Sequence, residues 1–401
     1  MPYPKPARVL IIRLSAIGDV VRTLPAALMI RRALPGAHLA WLVEDLAAGA
    51  LEGHPALDAL WVVPRRRWRE GFSSPARWGA TLAEAFGFAR RLRAARFDWV
   101  IDFHGILKSG LWALASGARV RAGYEEAGGR GWGSREGNRF FTNVRVDVPR
   151  RALSRFERNA ILARAVVVDL LGLGPEAAQS PAGRLLPVAP AINAEVERFF
   201  RMLDAPAAGA LVAIHPGSSA GTSYKRWFPE RFGEVADALA SRGHRVILTW
   251  GPGEREAAEV IARGMKHPAI LAPETPTLQH LSAIFRRCAL FIGNDTGPMH
   301  VAALSGIPVV AVLGPTDPVE NAPYPGVPSA VVRRDVACSC PKRRCLTRAC
   351  FDAVTADDVL DEALRLLREV PRPEVPSTAG ADSEDAKDGR GSHGNTRSEA
   401  R

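Results

Sequence analysis

The chain has 401 residues, 47% hydrophobic and 24% charged, which suits two soluble globular domains. No apolar run approaches the roughly 18–20 residues of a membrane span, and MPYPKPARVLIIRL is too short in apolar residues for a signal peptide, so a cytoplasmic protein is expected. The net charge of +11 is uneven: residues 1–150 hold 23 Lys/Arg against 13 Asp/Glu, which points to an anionic partner or to free use of Arg in a GC-rich genome.

From Arg8, RVLIIRL is a nearly continuous apolar run, as expected of a parallel strand buried on both faces. SAIGDVV is its loop, and DVVRTLPAALMIRRAL has helical apolar spacing that ends at Pro35-Gly36. HLAWLVED then closes a β-α-β unit, and the alternation continues with LWVV (60–63), a helix near 80–95, FDWVIDF (97–103) and ARVRAGY (118–124). Residues 125–150, Gly- and Arg-rich, read as a mobile loop, and RFERNAILARAVVVDLLGL as a helix. GPEAAQSPAGRLLPVAPA reads as a linker. A second series follows: LVAIHPGS (211–218), a helix near 229–242, RVILTWGPG (245–253), LFIGNDTG (290–297), PVVAVLGPTDP (308–318) and SAVVRR, with helices between. Thr355 is the N-cap candidate for a last amphipathic helix, TADDVLDEALRLLREV. Beyond Pro371 the composition predicts a disordered tail.

The expected boundaries are an N-terminal Rossmann-like domain (1–174), a linker (175–208), a C-terminal Rossmann-like domain (209–354), the helix 355–370 and the tail 371–401. Two such domains leave a cleft between facing strand ends, where open α/β sheets bind ligands. Neither G-x-G-x-x-G after the first strand nor a Walker motif is present, which argues against dinucleotide oxidoreductases and P-loop NTPases. Cys338, Cys340, Cys345 and Cys350, spaced C-x-C-x4-C-x4-C, fit a structural metal, a redox pair or a reduced local cluster.

In NDTGPMH, a helix starting near Thr296-Gly297 turns free N–H groups and a positive dipole end toward the cleft; Asp295 reads as an N-cap or a ligand contact, and His300 lies one turn in. HPGSSAGTSYKRWFPERF offers Ser218 and Ser219 as small donors and Lys225 as a point charge for a diphosphate, or as a plain surface lysine. Glu254 follows another strand and suits ribose hydroxyls or a helix N-terminus. Asp19, at the first strand-to-helix loop, is an N-cap or a general base. The RRRWRE cluster, with Trp61, Trp68, Phe72 and Trp78 nearby, suits a membrane surface unless those aromatics are core.

RLSAIGDVVRTLPAA, IDFHGILKSGLWA, HPGSS…KRWFP, IGNDTGPMHVAALSGIPVVAVLGPTDP and the Cys-rich segment before VTADDVLDEA resemble glycosyltransferase family 9, the ADP-heptose:lipopolysaccharide heptosyltransferases, over roughly residues 8–368. The resemblance implies an α/β GT-B fold of two Rossmann-like domains facing a cleft, with the C-terminal helix crossing back. It further implies inverting, metal-independent transfer with no cofactor, from an ADP-sugar to an anionic lipopolysaccharide core at the inner face of the inner membrane, by a monomer that binds no nucleic acid. Asp19 matches the family's base; Ser218, Ser219, Lys225, Glu254, Asp295, Thr296, Gly297 and His300 match its donor site; Lys108, Arg121 and His104 are placed toward the acceptor. On this reading Asp19→Asn folds normally and loses transfer. The alternatives are another nucleotide sugar on the same fold, a GT-B epimerase or hydrolase, and a non-catalytic basic protein that binds nucleic acid or membrane.

Overall fold

The computed structural model describes residues 4–125, 134–149, 153–203, 209–218, 220–337, 345 and 347–369. Its first sheet holds β1 (Arg8–Ile12), β2 (His38–Glu44), β3 (Ala59–Val63), β4 (Trp99–Asp102), β5 (Val120–Tyr124) and β6 (Val144–Val146), in the order β3-β2-β1-β4-β5-β6. The second holds β7 (Leu211–His215), β8 (Arg245–Leu248), β9 (Ile270–Leu271), β10 (Leu290–Asn294), β11 (Val309–Val312) and β12 (Ser329–Val332), in the order β12-β11-β10-β7-β8-β9. Every pairing is parallel. Central strands such as β10 are buried throughout, which is why they read as unbroken apolar runs. The expected α/β, doubly wound architecture is present twice.

Strand order reverses between β1 and β4 in the first sheet, and between β7 and β10 in the second. At such a switch point the adjoining loops leave toward opposite faces and open a crevice at the carboxyl ends. Those two crevices carry the site.

Three expectations about organisation change. Residues 126–133 and 150 of the Gly/Arg-rich stretch lie outside the described residues, but residues 134–149 include a turn at Asn138–Phe140 and the edge strand β6. The expected linker is not free chain: its helix Pro190–Arg201 packs on the helix Leu278–Phe285, and Gln279 accepts from Ala189 N (2.8 Å) and donates to Glu52 O (2.7 Å). One apolar core runs from Ile11 and Ile30 through Leu162, Val166 and Leu185 to Phe285, Phe291 and Leu304, so the inner layers of both sheets share an interior.

The helix Ala356–Glu369 does not cross back: it packs on β10–β12 and the helix Pro229–Ala240 of its own domain, burying Val359, Leu360, Ala363 and Leu366 in that domain's outer core. Its apolar stripe is spent there. Thr355 is its cap, accepting from Asp358 N (3.2 Å) while Asp358 accepts from Thr355 N (2.9 Å). The tail 371–401, Cys338 and Cys340 lie outside the described residues; Cys345 and Cys350 are half-buried. Among the described residues no helix is long and apolar enough to cross a membrane.

Candidate active site

At the N-terminal switch point the chain leaves β1 through Arg13 and Leu14 and turns into the helix Ile17–Ala33, which sets Asp19 in its first turn. Arg13 reaches across to β4, donating to Phe103 O (2.7 Å), and its other terminal nitrogen lies 2.8 Å from Asp19 Oδ2. Arg22, one turn on, is 3.2 Å from Asp19 Oδ1, and Arg155 from the helix Arg155–Ala165 is 2.9 Å from the same oxygen. Burial alone would raise the Asp19 pKa; the guanidiniums of Arg13, Arg22 and Arg155 overcome it and hold the carboxyl well below the usual carboxylate range.

His104, just past β4, accepts from Leu14 N through Nδ1 (3.3 Å). Burial first, then Arg13, pushes its imidazole down to about 3, so it is neutral. Its loop is built on the buried Asp102, which accepts from Ser109 Oγ (2.8 Å), Asn138 Nδ2 (2.8 Å), His104 N (2.9 Å) and Gly105 N (3.2 Å).

At the C-terminal switch point Asn294 ends β10 and ties the neighbouring loops: its amide donates to Pro216 O (2.9 Å) and accepts from Trp227 N (2.8 Å). Asp295 follows, buried, with Lys225 Nζ 2.8 Å from Oδ2 and 3.2 Å from its carbonyl oxygen. Asp295 is therefore an ion-pair partner of Lys225, and the N-cap position belongs to Thr296. Thr296 N donates to Asn294 O (2.7 Å) and Pro298 has no N–H, so of residues 296–298 at the helix start only Gly297 offers an N–H to a ligand. The first-turn donors are Gly297 and Met299.

Ser218 sits in the loop after β7, its hydroxyl accepting from Arg226 Nε (2.9 Å) and donating to Thr222 O (3.0 Å); Ser219 lies outside the described residues. Glu254 accepts from Gly251 N (2.9 Å) and approaches Gly217 so closely that a Cβ there would lie 2.1 Å from Oε2. Glu254 thus braces two donor-side loops, with Arg226 3.8 Å from Oε1 and His215 3.5 Å from Oε2. Burial, then Arg226, lowers the His215 pKa to about 4, so this pair is a neutral ring beside a carboxylate.

The two switch points meet through one side chain. Arg22 Nε donates to His300 Nε2 (2.8 Å), Arg22 Nη2 lies 3.7 Å from Asp295 Oδ1, and Nη2 also reaches Asn321 Oδ1 (3.5 Å). Burial first, and then Arg22, drives the His300 pKa far down; an imidazole accepting at Nε2 carries its proton on Nδ1. His300 is both packed, edge-on to Phe156, and part of the polar junction.

Asp19, His104, Lys225, Asp295 and His300 are thus gathered around Arg13 and Arg22, with Thr296 and Gly297 at the adjoining helix start. Lys108, near enough to His104 to help lower its pKa, shares with Arg65 the buried carboxylate of Glu44 at the edge of a pocket. Arg121 donates to main-chain carbonyls, Phe141 O (2.7 Å) and Ala118 O (2.9 Å), which gives it a structural role stapling the edge of the sheet. Sequence reading missed Arg13, Arg22, Arg155 and Asn294. All four stood in quoted stretches; the arginines were masked by abundance, since 53 residues are Lys or Arg.

The family model for glycosyltransferase family 9 (heptosyltransferase) matches residues 85–348. The chain is 30% identical over 356 residues to lipopolysaccharide heptosyltransferase 1 of Pseudomonas aeruginosa, covering 88% of this chain and 89% of that one. The corresponding Escherichia coli enzyme is 28% identical over 317 residues, 78% of this chain and 89% of the relative. Among solved structures, E. coli heptosyltransferase WaaC with ADP superposes with a TM-score of 0.66 at 25% identity, covering 90% of this chain and 99% of that one. A family 9 glycosyltransferase from Veillonella parvula shares the fold with a TM-score of 0.74, over 91% of this chain and 98% of that one. With two parallel sheets, a polar junction at both switch points and these relatives over most of its length, the chain belongs to glycosyltransferase family 9 and has the GT-B fold.

Proposed function

We propose that the chain transfers a heptosyl group from ADP-heptose to the anionic inner core of a lipopolysaccharide acceptor, as a monomer at the cytoplasmic face of the inner membrane. One observation carries the reading: Asp19 at one switch point and the Lys225–Asp295 pair at the other are joined by Arg22, so a base and a diphosphate clamp share one gap.

As the glycosyl–oxygen bond breaks, charge grows on the leaving diphosphate. Lys225, Arg226 and the N–H groups of Gly297 and Met299 are the donors available to it, and charge stabilisation of this kind is worth about 10²–10³ in rate per donor. Protein cations fill the role of a metal ion in this scheme. Asp19 takes the proton of the acceptor hydroxyl in a single displacement with inversion. A carboxylate so strongly paired is a weak base in the free enzyme, so proton transfer follows bond formation, when the hydroxyl has become acidic. Arg155, 39% exposed at its side chain, is the guanidinium that an anionic acceptor group can draw away, which restores basicity to Asp19.

Thermal stabilisation by ADP, UDP, GDP, ADP-heptose and UDP-hexoses tests the donor, followed by product analysis with and without acceptor. A shift confined to ADP and ADP-heptose, with product only when acceptor is present, is expected. A shift with UDP or GDP sugars replaces the donor; product without acceptor replaces transfer with hydrolysis or epimerisation.

A further inference from the structure

Of the four aromatics noted beside the basic cluster, Trp61 and Trp68 go into the core. Trp68 stacks on Trp112 (6.0 Å, 27°), and Phe88 meets Trp61, Trp68 and Trp112 edge-on at 5.2–6.0 Å. On top of that packed layer the helices Arg65–Phe72, Trp78–Ala94 and Leu107–Ala115 lie side by side.

The outer faces of the second and third carry apolar stripes, while the first turns its arginines outward and adds Phe72 at its end. Trp78, Leu82 and Phe86, at i, i+4 and i+8 of one helix, are 51%, 58% and 67% exposed. Leu107, Leu111 and Leu114 form a second stripe on the neighbouring helix at 42%, 50% and 48%, and Phe72 adds 44%. Phe140, on the turn packed against that helix, is 77% exposed. A pocket of about 440 Å³ opens between the first and third helices, with Phe72 and Leu111 on its rim, Trp68 and Trp112 in its walls, and Arg65 and Lys108 held at Glu44. Large apolar side chains exposed in stripes on packed neighbouring helices mark an interaction site.

Charge decides the partner. Arg90 and Arg93 continue the Trp78–Leu82–Phe86 stripe along the same helix, and residues 64–96 hold nine arginines against Glu70 and Glu84, which already pair with Arg66 and Arg67. A protein covering this face would have to desolvate the surplus guanidiniums. Lipid phosphates meet them at the water boundary while the apolar stripes enter the acyl region.

We propose that this plateau docks the protein on an anionic phospholipid leaflet, with Trp78, Leu82, Phe86, Leu111 and Leu114 in the headgroup–acyl boundary and the flanking arginines on lipid phosphates. The pocket receives the upper part of one acyl chain. The inference deepens the reading of a membrane-anchored acceptor and rests on it for its setting, but docking is measured without sugar transfer.

The test is co-sedimentation of the full chain with phosphatidylcholine vesicles and with vesicles enriched in phosphatidylglycerol, for the parent and for Leu82→Ser/Phe86→Ser. Both side chains are mostly exposed, so the variant keeps its melting temperature and its response to ADP. The parent binds the anionic vesicles, and the variant binds them at least about tenfold more weakly, since more than half of each side chain is available to bury. Equal binding by parent and variant overturns the proposal, as does binding lost in Arg90→Gln/Arg93→Gln but untouched by the apolar substitutions. A concentration-dependent dimer, dispersed by Leu82→Ser/Phe86→Ser and blind to vesicles, assigns the plateau to a second copy instead. Failure on vesicles with intact ADP-heptose turnover overturns docking alone; the converse overturns transfer alone.

Discussion

Asp19→Asn separates the two roles that the geometry gives this carboxylate. The substitution is isosteric, but Arg13, Arg22 and Arg155 now lie 2.8–3.2 Å from a neutral amide, with Asp295, 3.7 Å from Arg22, the nearest remaining carboxylate of the junction. Removing one partner from a buried pair costs about 3–5 kcal/mol, and the 20% exposure of the Asp19 side chain argues for the lower end. At roughly 2–4 °C per kcal/mol for a domain of this size, the melting temperature falls by about 6–12 °C. Normal folding, the expectation from sequence alone, is therefore replaced by a destabilised but folded enzyme. Transfer falls by about 10²–10⁴, the span of general-base catalysis. Asp19→Asn/Arg155→Met removes one of the stranded cations, the one already 39% exposed, and recovers about 1 kcal/mol of the loss. Differential scanning calorimetry and single-turnover transfer, run on parent, single and double variants, read the two roles independently. An unchanged melting temperature in Asp19→Asn would refute the charge network. Turnover within a few-fold of the parent would remove Asp19 from the base role, and recovery of turnover in the double variant would reduce it to a tether for Arg155.

Three further outcomes are expected. Lys225→Met takes from the buried Asp295 its nearer cation and leaves Arg22 at 3.7 Å, costing up to about 3 kcal/mol and about 10²–10³ in transfer; adding Asp295→Asn restores the melting temperature but not the rate, and joint recovery would discount Lys225 as a diphosphate contact. His215 is neutral when folded, with its pKa lowered to about 4, while the unfolded ring takes a proton near pH 6.5, so stability is full above pH 6.5 and declines toward pH 4. His215→Gln flattens urea-unfolding stability over that window by about 3 kcal/mol, and a pH slope equal to the parent's contradicts the assignment. Arg121→Gln lowers the melting temperature and leaves the acceptor KM unchanged; a raised KM would place Arg121 at the acceptor site.

Much of the site was legible because its carriers sit in local patterns. The apolar runs of β1, β7 and β10 set the breaks after them, and Asp19, Lys225, Asp295 and His300 lie in or just past those breaks. Asp295 was legible as a site residue but ambiguous in role, because a carboxylate before a helix often caps it; the structure gives the cap position to Thr296 and pairs Asp295 with Lys225 at 2.8 Å. The strands β6 and β9, three and two residues long, carry too few residues for a period to register.

The sequence by itself determined two parallel α/β sheets, the loops that hold chemistry, and the cap at Thr355, since periodicity and capping act over a few residues. Tertiary structure alone decided that Arg22 would bridge to His300, 278 positions away, and that Lys225 would pair with Asp295 across 70. It also decided that Arg121 would turn to carbonyls, that the last helix would stay on its own domain, and that Trp61 would enter the core while Trp78 faced outward. A charge or a ring carries no local mark of its partner; its role is set by whichever groups the packed backbone brings within a few ångströms.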